Sequence, residues 1–337
     1  MRTNFVFGFA LTALLISVTG CSNTTITTPV ARTYHVGMVQ WAAFSPLNVA
    51  DVKGFWSDQG LNVVVDNFGV NSDLNNSLDS GRIDIALDMI GSWVDFHLQS
   101  KPFTILGETD WSNGGDKIIL KQGMTLASLK GQTFGTYLKL LSVENFIAKY
   151  LAANGLAMSD FNLKQEDDPA VLANKFISGT YNITANYDPE AARAVTSGSG
   201  TVAATSRDYP GCIPEGFVAR TDRLAGMPQD DLVKFFKGWI RAVAWEEDSA
   251  NWTEFKSILN AKTYPGSSYS DADLHSFLDN VKIHSKADQL AVNQTNGALY
   301  DYLTSLNTFA QQNGFAGKTF APADVFDNSA IVKALSQ

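Results

Sequence analysis

The first third of the chain alternates apolar runs with turn signals at short, regular intervals. His35 to Val39 is an apolar run of strand length, and the loop Gln40-Trp41-Ala42-Ala43-Phe44-Ser45 follows it. Pro46 then suits a first helical turn, because its missing N–H is one that a helix start leaves unpaired anyway. Ala50, Phe55 and Trp56 give that helix an apolar side, and Gly60 can end it in the left-handed region. Leu61 to Val65, rich in β-branched residues, reads as a buried parallel strand. Ligands of such a βαβ unit sit beyond the carboxyl ends of its strands. Here that place is the aromatic and hydroxyl loop from Trp41 to Ser45.

The pattern then repeats. Gly60-Leu61-Asn62-Val63 returns as Gly155-Leu156-Ala157-Met158, and the stretch from Asn76 to Ala86, with Ser80-Gly81 inside it, returns from Asn174 to Thr184, with Ser178-Gly179. The offsets are 95 and 98 residues, far beyond solenoid periods, so two similar α/β halves are expected. Asp116 to Lys121 and Gly216 to Arg220 read as strands passing between the halves. The helix of the second half is expected to begin at Ser142, with Phe146, Ile147, Tyr150 and Leu151 on its apolar face. The last third is mostly helical. Pro228 opens a stripe of Leu232, Phe235, Phe236, Trp239 and Val243, Ser270 to Asp273 forms a capping box, and Leu299 to Phe309 carries a further stripe.

At the start, Arg2 precedes an apolar run from Phe5 to Val18 that is too short for a spanning helix and ends in Val18-Thr19-Gly20-Cys21. This reads as a signal peptide over 1–20, a cysteine placed for acylation, and a polar tether over 21–33. With Cys21 carrying lipid, Cys212 is left without a disulfide partner and reads as a small buried hydrophobe. The four histidines show neither HxxH nor HExxH spacing, so no metal is expected. A formal charge of −9 without basic runs argues against a nucleic-acid partner. There is no GxSxG, P-loop or dinucleotide fingerprint, so neither an enzyme nor a cofactor is expected.

Trp41, Pro46 and Gly54, Gly60-Leu61, Ser80-Gly81-Arg82-Ile83-Asp84, Ser112-Asn113-Gly114-Gly115-Asp116, Leu129-Lys130-Gly131-Gln132, Asn154-Gly155-Leu156 and Tyr187-Asp188-Pro189 follow one another in a characteristic order. In this the chain resembles the nitrate/sulfonate/taurine/thiamine-pyrimidine binding proteins of ABC importers, well from Val36 to Arg220 and loosely beyond. One departure is Leu140-Leu141-Ser142, where many relatives carry Gly-Ser-Thr. The resemblance implies an α/β, two-lobed periplasmic-binding-protein fold of type II with a hinged cleft between its lobes. Residues 34–116 and 217–337 would form lobe 1 and residues 117–216 lobe 2. It also implies a monomer, lipid-anchored at the periplasmic or extracytoplasmic face, that hands a small-molecule solute to a membrane permease. A tethered sensor feeding a membrane receptor is the alternative.

The strand ends of both halves supply the expected cleft residues: Trp41, Phe44, Asp88, Ser92, Trp111, Tyr137, Ser142, Tyr187 and Asp188. Ser92 and Ser142 also suit plain helix caps. These loops hold Asp88, Asp110 and Asp188 against Lys139 and contain no arginine, so a dianion lacks bidentate partners. A small zwitterion or amine, taurine-like in the broad sense, is expected, with Asp188 facing its nitrogen. A planar amino-pyrimidine stacked between Trp41 and Tyr187 is the alternative ligand.

Overall fold

The structure is a computed structural model that describes Met1, Thr3 and residues 32–337. The leader and the Cys21 anchor expected from the sequence lie outside the described residues.

The parallel strand pairs form where the apolar runs predict them. β1 (Thr33–Val39) pairs with β2 (Asn62–Phe68) in continuous parallel register, from Thr33 opposite Asn62 to Val39 opposite Phe68. Between them lies α1 (Ser45–Val52), with Pro46 in its first turn. This helix stops before Phe55 and Trp56, because Gly54 takes a positive φ of 69° and turns the chain. Gly60 is left-handed as expected, at φ 70°. α2 (Asn71–Ser80) leads to β3 (Ile85–Met89), buried along its whole length and parallel to β1. α3 (Ile90–Leu98) then leads to the long strand β4 (Phe103–Ser112).

The chain crosses at 113–115 into a second sheet through β5 (Asp116–Lys121). β6 (Thr133–Thr136), α4 (Leu141–Ala153), β7 (Asn162–Gln165), α5 (Pro169–Ile177), β8 (Ile183–Tyr187), α6 (Glu190–Gly198) and β9 (Gly200–Thr205) follow. β10 (Pro214–Arg220) returns to the first sheet, and β11 (Val281–Ile283) adds a short edge. The six-stranded sheet has the order β11-β4-β10-β3-β1-β2, and the five-stranded sheet the order β7-β6-β8-β5-β9. From β2 to β4 and from β7 to β9 the two orders are the same, each with one crossing strand antiparallel to the other four. The duplication read from Gly60-Leu61 and Gly155-Leu156 is therefore a duplication of sheet order.

Each sheet has its own apolar core, built in the first from Val36, Met38, Ile85, Leu87 and Phe217 and in the second from Ile118, Phe134, Phe146, Ile147 and Ile183. The helix Gln229–Glu246 buries Leu232, Phe235, Phe236, Trp239 and Val243 against the first core. Trp56 stacks on Phe235 at 5.5 Å and donates its indole N–H to the Phe235 carbonyl at 2.9 Å. Residues Arg32–Gln337 make up one compact unit. Among the described residues no helix is long and apolar enough to cross a membrane.

Candidate functional site

The carboxyl ends of the parallel strands of both sheets converge on one cavity. Val39 and Trp41 come from the end of β1, Asn71 from the helix start after β2, and Asp88 and Met89 from the end of β3. The second sheet contributes Tyr137 beyond β6 and Tyr187 at the end of β8. The crossing strands add Asp116 and Glu215, and Phe44 closes the set. About 280 Å³ of atom-free space lies between these side chains, part of it continuous with solvent.

Aromatic rings make one wall. Trp41 meets Tyr187 edge to face with centroids 5.7 Å apart, and Tyr187 meets Tyr137 at 4.7 Å. A Cβ on Gly115 would lie 2.2 Å from the outer edge of the Trp41 ring, so only glycine at the crossing admits that ring. Trp41 and Tyr187 touch one another, so in this conformation there is no slot between them for a planar ring. The expected stacking of an amino-pyrimidine there does not fit this arrangement.

Carboxyl groups make the other wall, and each is held by neutral donors. Asp88 accepts from the Met89 N–H and from Asn71 Nδ2, both at 2.8 Å. Asp116 accepts from the Tyr137 hydroxyl at 2.6 Å, and Glu215 from Trp41 Nε1 at 2.7 Å. Burial pushes Asp88 up to about 6, with the two donors and nearby Asp116 as smaller influences. Burial likewise raises Asp116, whose donors Ser112 and Tyr137 oppose the shift. Glu215 lies opposite Asp110 across β10 and β4. It is raised well above the usual carboxylate range by burial and then by Asp110, while burial pushes Asp110 up to about 6. No N–H or O–H donor reaches Asp110 Oδ1 among the described residues. A proton shared between the two carboxyls satisfies both, since two such groups side by side in a buried site do not both ionise.

Among the described residues no cation lines this cavity. Lys117 follows Asp116 on β5, but adjacent strand residues point to opposite faces. Its ammonium therefore pairs with Asp188 on the far side. Asp188 also accepts from Asn280 Nδ2 at 3.0 Å. Its charge is thus neutralised outside the cavity lining, and the sequence expectation that Asp188 faces the ligand nitrogen is corrected.

Of the residues expected from the sequence, Trp41, Phe44, Asp88, Tyr137 and Tyr187 come together around the cavity. Trp111 points elsewhere, edge to face with His284 at 4.8 Å and beneath Lys282. Ser92 and Ser142 are fully buried and do not cap their helices, which begin earlier at Ile90 and Leu141. Their hydroxyls bond each other at 2.9 Å across the two halves. At the same junction a Cβ on Gly91 would lie 2.8 Å from the Ser142 backbone, which fixes glycine there.

Sequence reasoning missed Asn71, Asp116 and Glu215. Asp116 opens β5 and Glu215 is the second residue of β10, so both acids stand where a crossing strand passes the gap. An acid at the start of each crossing strand was the available signal. Asn71 obeys the same strand-end rule as Trp41, one strand further along.

The family of this architecture is decided by sequence. The sequence model of the NMT1-like family matches residues 28–260, more than half of the chain. This chain belongs to the NMT1-like family. A curated relative is YtlA of Bacillus subtilis (strain 168), named for an inferred binding role. It is 28% identical over 218 residues, which are 61% of this chain and 63% of YtlA. The NMT1-like chain thus spans under two thirds of the length of that relative.

Two solved structures show the fold. One is the ligand-binding component of an ABC-type import system from Staphylococcus aureus with zinc bound, at a TM-score of 0.71 and 15% identity, covering 90% of this chain and 99% of that one. The other is the alkanesulfonate-binding protein SsuA from Xanthomonas axonopodis pv. citri bound to MOPS, at 0.70 and 15%, covering 89% and 99%. At such identities the likeness establishes the periplasmic-binding-protein fold for this NMT1-like chain. Zinc finds no counterpart site, because no three His, Cys, Asp or Glu side chains cluster closely enough to hold a metal ion among the described residues.

Proposed function

We propose that this protein is the solute-binding component of an ABC importer and that its solute carries a protonated nitrogen. The observation that carries the reading is the cavity wall of Asp88, Asp116 and Glu215, faced by aromatic rings and, among the described residues, lined by no cation. Near neutral pH, Asp88, raised only to about 6, is mostly ionised. A cation entering there meets negative charge in a low-dielectric site and the faces of electron-rich rings. An anion meets repulsion instead. SsuA binds alkanesulfonate on a similar fold, but a fold does not fix a ligand. Here the lining chemistry favours an amine over a sulfonate, and in a taurine-like zwitterion it would hold the ammonium end.

Residues 34–116 with 217–337 would form one lobe and 117–216 the other, closing on the solute through the two crossings at 113–115 and between β9 and β10. Lipidation at Cys21 would tether the protein to the outer face of a membrane, beside its permease. The import-system structure supports the transport role, and the YtlA relative a binding role.

A thermal-shift panel of alkylamines and alkanesulfonates at pH 7.5, followed by calorimetry on Asp88→Asn, tests the ligand class. Amines are expected to raise the melting temperature, and Asp88→Asn to weaken them by about tenfold to a hundredfold, the loss of one charged hydrogen bond. Tight sulfonate binding that Asp88→Asn leaves unchanged would overturn the reading.

A further inference from the structure

A larger groove of about 650 Å³ adjoins the acid-lined cavity, and the two spaces have Asn71 and Tyr137 in common as lining residues. One wall of the groove is the polar face of α2, where Asn71, Ser72, Asn75 and Asn76 line it. The other wall is apolar, from Phe96, Leu138 and Leu140. The charged groups of the groove are already engaged. Lys101 pairs with Asp79 at 2.9 Å, and Asp167 accepts from Gln165 Nε2 at 2.6 Å. The amide of Asn75 is different: its Oδ1 is buried, and no donor reaches it among the described residues. A buried carbonyl oxygen left without a donor costs about 1–3 kcal/mol, so such groups are found paired.

We propose that this groove is a second subsite, which takes an uncharged tail bearing N–H or O–H donors, joined covalently to the cationic head at Asp88. The inference rests on the amine reading of the inner cavity. Asn71 links the two spaces, since its Nδ2 donates to Asp88 while its helix carries Asn75 one turn further on. One turn is about 6 Å along the axis, roughly four bonds' length of chain. The solute is therefore bifunctional: an ammonium, a short apolar spacer against Phe96 and Leu140, and an amide or hydroxyl that donates to Asn75.

Two probes with the same head measure this on the full-length protein. N-butylamine carries the ammonium alone, and N-acetylputrescine adds a secondary amide beyond a four-carbon spacer. Calorimetry is expected to show N-acetylputrescine binding about tenfold tighter, and Asn75→Leu bringing the two affinities to within about threefold. Asn75→Ala, a smaller change, keeps the test open if Asn75→Leu does not fold; it is expected to lower the ratio at least about threefold. Equal affinities in the unaltered protein, or a ratio that survives both substitutions, would overturn the tail subsite while leaving the head site standing. Binding of neither amine would overturn the head site, and the tail subsite with it.

Discussion

Asp88 at the end of β3 and Asn186 near the end of β8 occupy matching positions in the two halves, and their surroundings match as well. Asp88 Oδ1 accepts from the next residue's N–H at 2.8 Å, and Asn186 Oδ1 does the same from Tyr187 at 2.9 Å. Each then reaches the start of the preceding helix: Asp88 through Asn71, the first residue of α2, and Asn186 through the carbonyl of Pro169, the first residue of α5. The difference lies in which partner donates. In the first half the helix start donates to a carboxylate, whereas in the second an amide donates to a backbone carbonyl. One duplicated scaffold thus places a charge at the cavity in one half and a neutral hydrogen bond at the matching position of the other. Site chemistry is set by single residues at positions the fold has already built.

Exchanging those chemistries should give the largest effect. Asn186→Asp removes the donor to Pro169 and sets a fully buried carboxylate against that carbonyl. Urea unfolding at pH 7 is expected to show a loss of about 3 kcal/mol or more. Asp88→Asn is expected to cost far less, because Asn71 can turn its amide and accept instead. Equal losses from the two variants would mean that the halves are not chemically distinct.

Next in size is the pH dependence of stability. Asp88 and Asp110 both have folded-state values of about 6 against an ordinary 3.8, raised by burial. At these two groups the folded state therefore binds protons more tightly than the unfolded one, so their contribution to stability is highest below about 4 and declines as pH rises to about 6. For Asp88 the decline amounts to about 3 kcal/mol, and Asp88→Asn should remove that share. The exposed carboxyls of Asp160, Asp222 and Asp273, held low by hydrogen bonds, lose their stabilising effect only as pH falls below about 4. A stability curve that is flat from pH 4 to 6, or unaltered in the variant, would contradict the burial of an ionisable Asp88.

The architecture was legible because its signals are local and repeated. Pro46 at a helix start, Gly60 in the left-handed region, the Ser270 capping box and the paired Gly-Leu turns each constrain the backbone directly. The cavity was half legible, since strand ends can be found by pattern. What the chain alone could not show is which acid meets a cation. Lys117 is 71 residues from Asp188 and takes its charge away from the cavity. Asp116, its neighbour in sequence, turns inward, and its chemistry stayed hidden because β5 read only as a connector. Ser92 and Ser142 looked like helix caps for the same reason: their true partner, each other, is 50 residues away.

A smaller effect separates the aromatic wall from the acidic one. Trp41→Phe keeps the ring contact with Tyr187 and removes the indole donor to Glu215. Chemical unfolding should register about 1–2 kcal/mol of destabilisation, the usual cost of leaving a buried acceptor without its donor. No change would mean that Glu215 is satisfied by Asp110 alone.

The central claim is that the ionised carboxylate of Asp88 receives a cation, and the sign of one pH dependence decides it. Calorimetric titration of n-butylamine from pH 5 to 7.5 compares affinities while the amine stays protonated, as its group ionises near 10. Affinity is predicted to rise about tenfold as pH passes through about 6, where Asp88 ionises. An affinity that is constant or falls over that interval, or an alkanesulfonate that binds more tightly than the amine throughout it, would contradict the account.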